Sequence, residues 1–161
     1  MNNIKQTRIE ISDEWDSRYI ANKLLEHKKV LIRARYPGRG KTYSCKELYN
    51  LGYNIWFVCP TNVGAQNNTD NEDKDNPKYK GITTNNFFGV GVSENSKVER
   101  FDDTPYNCIV FDEIYMCNID MLTRIKHYCE NNPDKIIVGT GDCNQLPPVN
   151  FYLNQVEYKT F

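Results

Sequence analysis

The chain has 161 residues, 39% of them hydrophobic and 25% charged, the size and make-up of one soluble globular domain. A formal net charge of -1 and a pI near 6.1 exclude a general cationic coat, so any nucleic-acid contact must be local. Six cysteines with no C-x-x-C pair and two distant histidines do not form a zinc pattern, and no apolar run approaches the ~20 residues that span a bilayer.

These totals predict a reduced, intracellular protein of the cytoplasm or nucleus, with no membrane partner. From Ser12 to His27, SDEWDSRYIANKLLEH places Trp15, Tyr19, Ile20 and Leu24 near helical spacing, behind Ser12 or Asp13 as N-cap. KKVLIRA is a short apolar run before a Pro-Gly turn, which predicts a buried strand ending near Ala34. KTYSCKELYNLG predicts a helix opening at Lys41 and stopped by Gly52. NIWFVCPT repeats the strand pattern, and NVGAQNN begins a short helix. From Gln66 to Lys80, QNNTDNEDKDNPKYK has no apolar periodicity and many turn formers, the mark of an exposed, flexible loop. GITTNNFFGVG reads as a short strand or turn, YNCIVFDEI as the clearest buried strand, NIDMLTRIKHYCENN as an amphipathic helix and KIIVGTGD as a further strand. The tail, LPPVNFYLNQVEYKTF, reads as mostly irregular. Strands alternating with helices predict an α/β domain, with a mostly parallel sheet, helices on both faces and ligands at the strand C-terminal ends.

Three segments at those ends carry polar groups with a chemical use. In RYPGRGKT, a turn from a buried strand to a helix N-terminus leaves several N–H groups unpaired and aligned, and with the helix dipole they attract phosphate. Gly38 and Gly40 let the backbone approach an anion, and Pro37 stiffens the turn. Lys41 suits the β- and γ-phosphates, and the Thr42 hydroxyl suits magnesium. Lys28, Lys29, Arg33, Arg35 and Arg39 surround the loop in sequence and add a positive field, or are solvated surface. A basic surface turn is the plain alternative for G-K-T alone; its place between strand and helix favours phosphate. In CIVFDEI, Asp112 and Glu113 end an apolar run, where adjacent acids are costly unless they sit at the strand mouth. There Asp112 can hold the magnesium shell and Glu113 can orient and deprotonate an attacking water, unless both are simply solvated turn acids. In GTGDCNQLPPV, Asp142 and Gln145 follow a strand, and the Gln145 amide can donate to a γ-phosphate oxygen while accepting from water.

Taken in order, RYPGRGKT, FVCPTN, ITTNNFFG, IVFDEI and GDCNQLPPV resemble the N-terminal motor-domain motifs of superfamily 1 DNA helicases, above all the RecD-like branch that moves 5′ to 3′. GDxxQLPPV is the most specific element of the likeness, which covers most of the chain. The resemblance implies a RecA-like P-loop NTPase domain, ATP hydrolysis with Mg2+, and a track for single-stranded DNA or RNA. By position, Glu113, Lys41 and Gln145 take the catalytic roles. Pro37, Gly38, Arg39, Gly40, Lys41, Thr42, Tyr43, Asp112 and Gln145 hold the nucleotide, with Thr42 and Asp112 on the metal. Pro60, Thr61, Asn62, Thr83 and Thr84 touch the nucleic-acid backbone, a contact that reads no sequence. Phe87 and Phe88 offer stacking faces or belong to the core.

The chain departs from the pattern at Arg35, which stands for the first glycine of the loop, and at Asn85, where the family often has histidine. No adenine-reading glutamine stands ahead of the loop. No second motor domain with its arginine finger follows the third motif, so the expectation is half a motor, completed by a second RecA-like domain in cis or in trans. A nucleotide-dependent module that binds DNA or protein without unwinding, and a P-loop kinase, are the rival readings.

Overall fold

Side-chain alternation along the strands sets the layers of this molecule. The computed structural model describes residues 7–10, 16–34, 41–73, 75–91, 99–142 and 156–160. In β2 (Lys29–Ala34), Val30 and Ile32 enter one apolar cluster and Leu31 the other. The same split recurs in β5 (Cys108–Phe111), with Cys108 and Val110 against Ile109 and Phe111. Both faces of each strand are therefore buried, which is why these segments read as unbroken apolar runs.

The remaining strands are β1 (Thr7–Glu10), β3 (Ile55–Cys59), β4 (Lys80–Thr83), β6 (Ile136–Asp142) and β7 (Val156–Thr160). Together the described residues form one seven-stranded sheet in the order β1-β7-β2-β6-β5-β3-β4, and every pairing is parallel. All strand C-terminal ends consequently lie along one edge. The predicted mostly parallel α/β sheet with helices on both faces is what the chain builds.

α1 (Ser17–His27) and α2 (Lys41–Asn50) cover one face, burying Ile20, Leu24, Cys45 and Leu48 over Val30, Phe57 and Val110. α5 (Ile119–Asn131) covers the other with Met121, Leu122, Ile125 and Tyr128, at i, i+1, i+4 and i+7. Two short helices follow the next two strands, α3 (Asn62–Asn67) after the Pro60–Thr61 turn from β3 and α4 (Thr84–Phe88) directly after β4. Phe87 is 1% exposed and packs edge-on to Phe111 and Tyr128, while half-buried Phe88 stacks on Phe111 at 6.1 Å. The pair belongs to the core, where burial of such a ring stabilises by about 1.5–3 kcal/mol.

Several local expectations are corrected. α1 is capped by Asp16, whose Oδ1 accepts from the Tyr19 N–H at 2.8 Å, and Ser12 and Asp13 lie outside the described residues. The segment read as a short strand or turn splits into β4 and α4, because the Thr83 side chain caps the Asn86 N–H at 3.3 Å and Gly89, at φ 69°, ends the helix. The tail read as mostly irregular contributes β7, which pairs with both β1 and β2. Lys29 does not face the loop that it precedes in sequence. It is buried at the far end of β2, about 17 Å of strand away, and donates to the carbonyls of Asn132 at 2.9 Å, Pro133 at 3.2 Å and Lys135.

Between α3 and β4, within the segment read as a flexible loop, Asp70 is buried. Its carboxylate accepts from the N–H groups of Glu72 at 3.2 Å and Lys78 at 2.9 Å, bonds that hold its carboxyl below the usual range against a smaller opposing effect of burial.

Candidate functional site

The sheet edge where the strands end carries those of the polar residues singled out above that are described. Pro37, Gly38, Arg39, Gly40 and Gln145 lie outside the described residues. Lys41, Thr42 and Tyr43 form the first turn of α2, so this helix begins in the crossover that leaves β2 at that edge. Asp142 ends β6 opposite Ala34, the last residue of β2.

Asp112 and Glu113 follow β5 directly. Asp112 is half-buried, and its N–H continues the ladder to the Val58 carbonyl at 2.9 Å. Both of its carboxylate oxygens are held. Oδ1 accepts from the Thr140 hydroxyl, and Oδ2 accepts from the Asn68 side-chain amide at 2.8 Å. Thr140, fully buried on β6, also accepts at its Oγ1 from the Glu113 N–H at 3.2 Å. One hydroxyl thus fixes the side chain of the first acid and the backbone of the second.

Glu113 is exposed and sits in the left-handed region at φ 53° and ψ 44°, a conformation that costs a non-glycine residue about 1 kcal/mol or more. It persists because the chain then dives inward: Ile114 and Tyr115, in the 3-10 turn Ile114–Met116, are buried against the second core cluster. Gly141 permits this packing, since an added Cβ would lie 2.7 Å from two Tyr115 ring carbons. The result is an exposed carboxylate held beside a half-buried, hydrogen-bonded one.

Asn68 is buried and bridges two strands, for its amide also donates to Cys59 Sγ, at the end of β3, at 3.2 Å. Burial, abetted by the nearby Asp112 and Glu113 charges, pushes the Cys59 thiol up to about 12 against the lowering effect of Asn68, so the sulfur is a neutral acceptor. Neither Asn68 nor Thr140 stood out in the sequence. A placement between strand ends in the folded chain is the only signal that distinguishes them from the other Asn and Thr residues.

The segments assigned to nucleic-acid contact lie along the same edge. Thr61 caps α3, its Oγ1 accepting from the Gly64 N–H at 3.1 Å, with Pro60 half-buried before it and Asn62 exposed after it. Thr83 caps α4 in the same way, and Asn85 and Asn86 are exposed in its first turn, whereas Thr84 is buried beneath them. A close approach joins the two units: a Cβ on Gly81 would come within 2.1 Å of the Ala65 carbonyl oxygen. Thr69 adds to it, donating to that carbonyl at 3.0 Å and accepting from the Gly81 N–H at 3.1 Å.

The donor set fits a small hard cation. Carboxylate and hydroxyl oxygens suit magnesium. Donors on both oxygens orient the carboxylate ahead of binding.

No protein-family model and no curated protein matches the sequence. Solved structures do match. The chain is similar to Pif1 helicase in a study of two coordinating Pif1 helicases at forked double-stranded DNA, at 23% identity and a TM-score of 0.58, covering 87% of this chain and 35% of that one. Bacteroides Pif1 bound to single-stranded DNA matches at 24% identity and a TM-score of 0.55, covering 83% and 33%. Bacteroides Pif1 with ADP-AlF4 matches at 23% identity and a TM-score of 0.56, again over 83% and 33%. The chain spans about a third of the length of these helicases. Its structural neighbours are thus Pif1 helicases, and it shares with them a RecA-like fold.

Proposed function

We propose that this chain is the ATP-binding and ATP-hydrolysing motor domain of a superfamily 1 DNA helicase, of the RecD-like branch that its motifs resemble. The observation that carries the reading is the Asp112–Glu113 pair at the sheet edge, one carboxylate clamped by Thr140 and Asn68 and the next exposed on a left-handed backbone. A solvated turn would need neither the clamp nor the strain.

In this reading the first turn of α2 receives the triphosphate, with Pro37, Gly38, Arg39, Gly40, Lys41, Thr42 and Tyr43 around it. Lys41 meets the β- and γ-phosphates, and Gln145 senses the γ-phosphate. Thr42 and Asp112 would hold magnesium, which would supply charge to offset the phosphates. Glu113 holds the attacking water and takes its proton, a role suited to a carboxylate exposed at the end of a strand. Pro60, Thr61, Asn62 and Thr83, with Thr84 beneath, border a track for single-stranded nucleic acid, which one of the solved Pif1 neighbours binds. A second RecA-like domain, in cis or in trans, completes the motor, since an arginine from such a partner contributes about 10³ to 10⁵ in rate in related NTPases.

ATP turnover with and without oligo-dT tests this. Wild-type turnover should rise with the oligonucleotide, and Glu113→Gln should keep nucleotide binding and lose hydrolysis. Glu113→Gln turnover at the wild-type rate would refute the assignment, and nucleotide binding with no turnover under either condition would favour the non-unwinding binding module.

A further inference from the structure

We propose that Asn68 is a positioning residue that couples the nucleic-acid edge to the magnesium carboxylate, with α3 as the rigid connection between them. The inference rests on the reading of Asp112 as a magnesium ligand and adds a role for a residue outside every motif of the site. Asn68 is the C-cap of α3, and Thr61 is its N-cap. The two caps are seven residues apart, about 10 Å along a helix. At one end is the Pro60–Thr61–Asn62 turn; at the other, the amide gripping Asp112 Oδ2 at 2.8 Å and Cys59 Sγ at 3.2 Å.

The helix is one hydrogen-bonded piece. Its backbone is hydrogen-bonded from end to end, with Ala65 N–H on the Thr61 carbonyl at 3.0 Å and Asn68 N–H on the Gly64 carbonyl at 3.1 Å. It is also keyed to β4 through the Gly81 approach and the Thr69 hydroxyl. In this coupling a phosphate seated on the 60–62 turn acts through α3 on the Asn68 amide, while Thr140 holds the other carboxylate oxygen from the buried strand β6. Of these two donors to Asp112, Thr140 is fixed in the core and Asn68 is linked through α3 to the 60–62 turn. A shift of a few tenths of an ångström changes the orientation of the carboxylate, and hence its grip on a metal.

The test follows binding and needs no turnover. Fluorescent mant-ADP is titrated into wild-type, Asn68→Ala and Asn68→Leu chains in EDTA, then with increasing Mg2+, each with and without oligo-dT. The leucine is near-isosteric without a donor, so it serves if the alanine variant melts. Expected are an unchanged affinity in EDTA, a Mg2+ half-saturation raised about 10-fold in both variants, and loss of the shift in half-saturation that oligo-dT causes in wild type. Oligo-dT affinity itself should stay within about twofold. Variants that keep the wild-type Mg2+ requirement and its response to oligo-dT would overturn the role of Asn68 alone. A wild-type chain that binds no mant-ADP would remove the nucleotide site and this coupling together.

Discussion

Thr140→Val removes one buried hydroxyl at almost constant volume. The side chain is fully buried, donates to Asp112 Oδ1 and accepts from the Glu113 N–H at 3.2 Å. Valine fills the same space, so no cavity is opened and only the hydrogen bonds are at issue. The bond to an ionised carboxylate is worth about 1.5–3 kcal/mol. The bond from Glu113 adds about 1 kcal/mol or less, because that residue is exposed and its N–H can turn to water. The expected loss is about 2–3 kcal/mol. Urea unfolding reads it as a midpoint lowered by about 1 M at unchanged slope, for a slope near 2 kcal/mol/M. In an Asp112→Ala background the same substitution should cost about 1 kcal/mol, giving a coupling of 1–2 kcal/mol in the double-mutant cycle. A single-variant cost below about 0.5 kcal/mol, or equal costs in the two backgrounds, would refute the clamp.

Glu113→Gly should raise stability by about 0.5–1 kcal/mol by relieving the left-handed strain at φ 53°, while ending hydrolysis; a loss of stability by urea titration would show that the side chain has a structural role. Gly81→Ala places a Cβ 2.1 Å from the Ala65 carbonyl oxygen, so a cost of about 2–3 kcal/mol is expected, and a wild-type melting temperature would contradict the close approach. For Asp103, burial raises the carboxyl, but hydrogen bonds from Lys135 Nζ at 2.8 Å and the Tyr128 hydroxyl at 2.5 Å outweigh it and hold the group below its ordinary value. Its stabilising contribution is therefore present above the ordinary carboxylate range and lost as pH falls through the lowered folded value. Asp103→Asn should lose about 1.5–3 kcal/mol at pH 7, with the difference from wild type vanishing in acid melts; a difference that persists undiminished to the lowest pH would sink the ion-pair account.

The sheet was legible because its central strands are buried on both faces. CIVF and the start of IIVGTGD read as apolar runs, and Met121, Leu122, Ile125 and Tyr128 trace the buried stripe of α5. α4 was not, since Thr and Phe favour strands and the helix depends on the Thr83 cap and the left-handed Gly89 at its two ends. VEYKT is a strand only through its partners, β1 and β2. In the candidate site, Asp112 and Glu113 were visible as acids that end an apolar run. Asn68 and Thr140 were not, because the contacts that define them span 44 and 28 residues of sequence. Lys29 shows the reverse error: neighbours in sequence to a loop can be the length of a strand away from it.

The most direct test of the nucleotide site is calorimetric titration of the chain with a non-hydrolysable ATP analogue, with and without Mg2+, in wild type and Lys41→Ala. The expected result is saturable wild-type binding that Mg2+ tightens and Lys41→Ala abolishes. Wild-type heats that stay at the dilution baseline up to millimolar analogue, or equal binding by Lys41→Ala, would contradict the account.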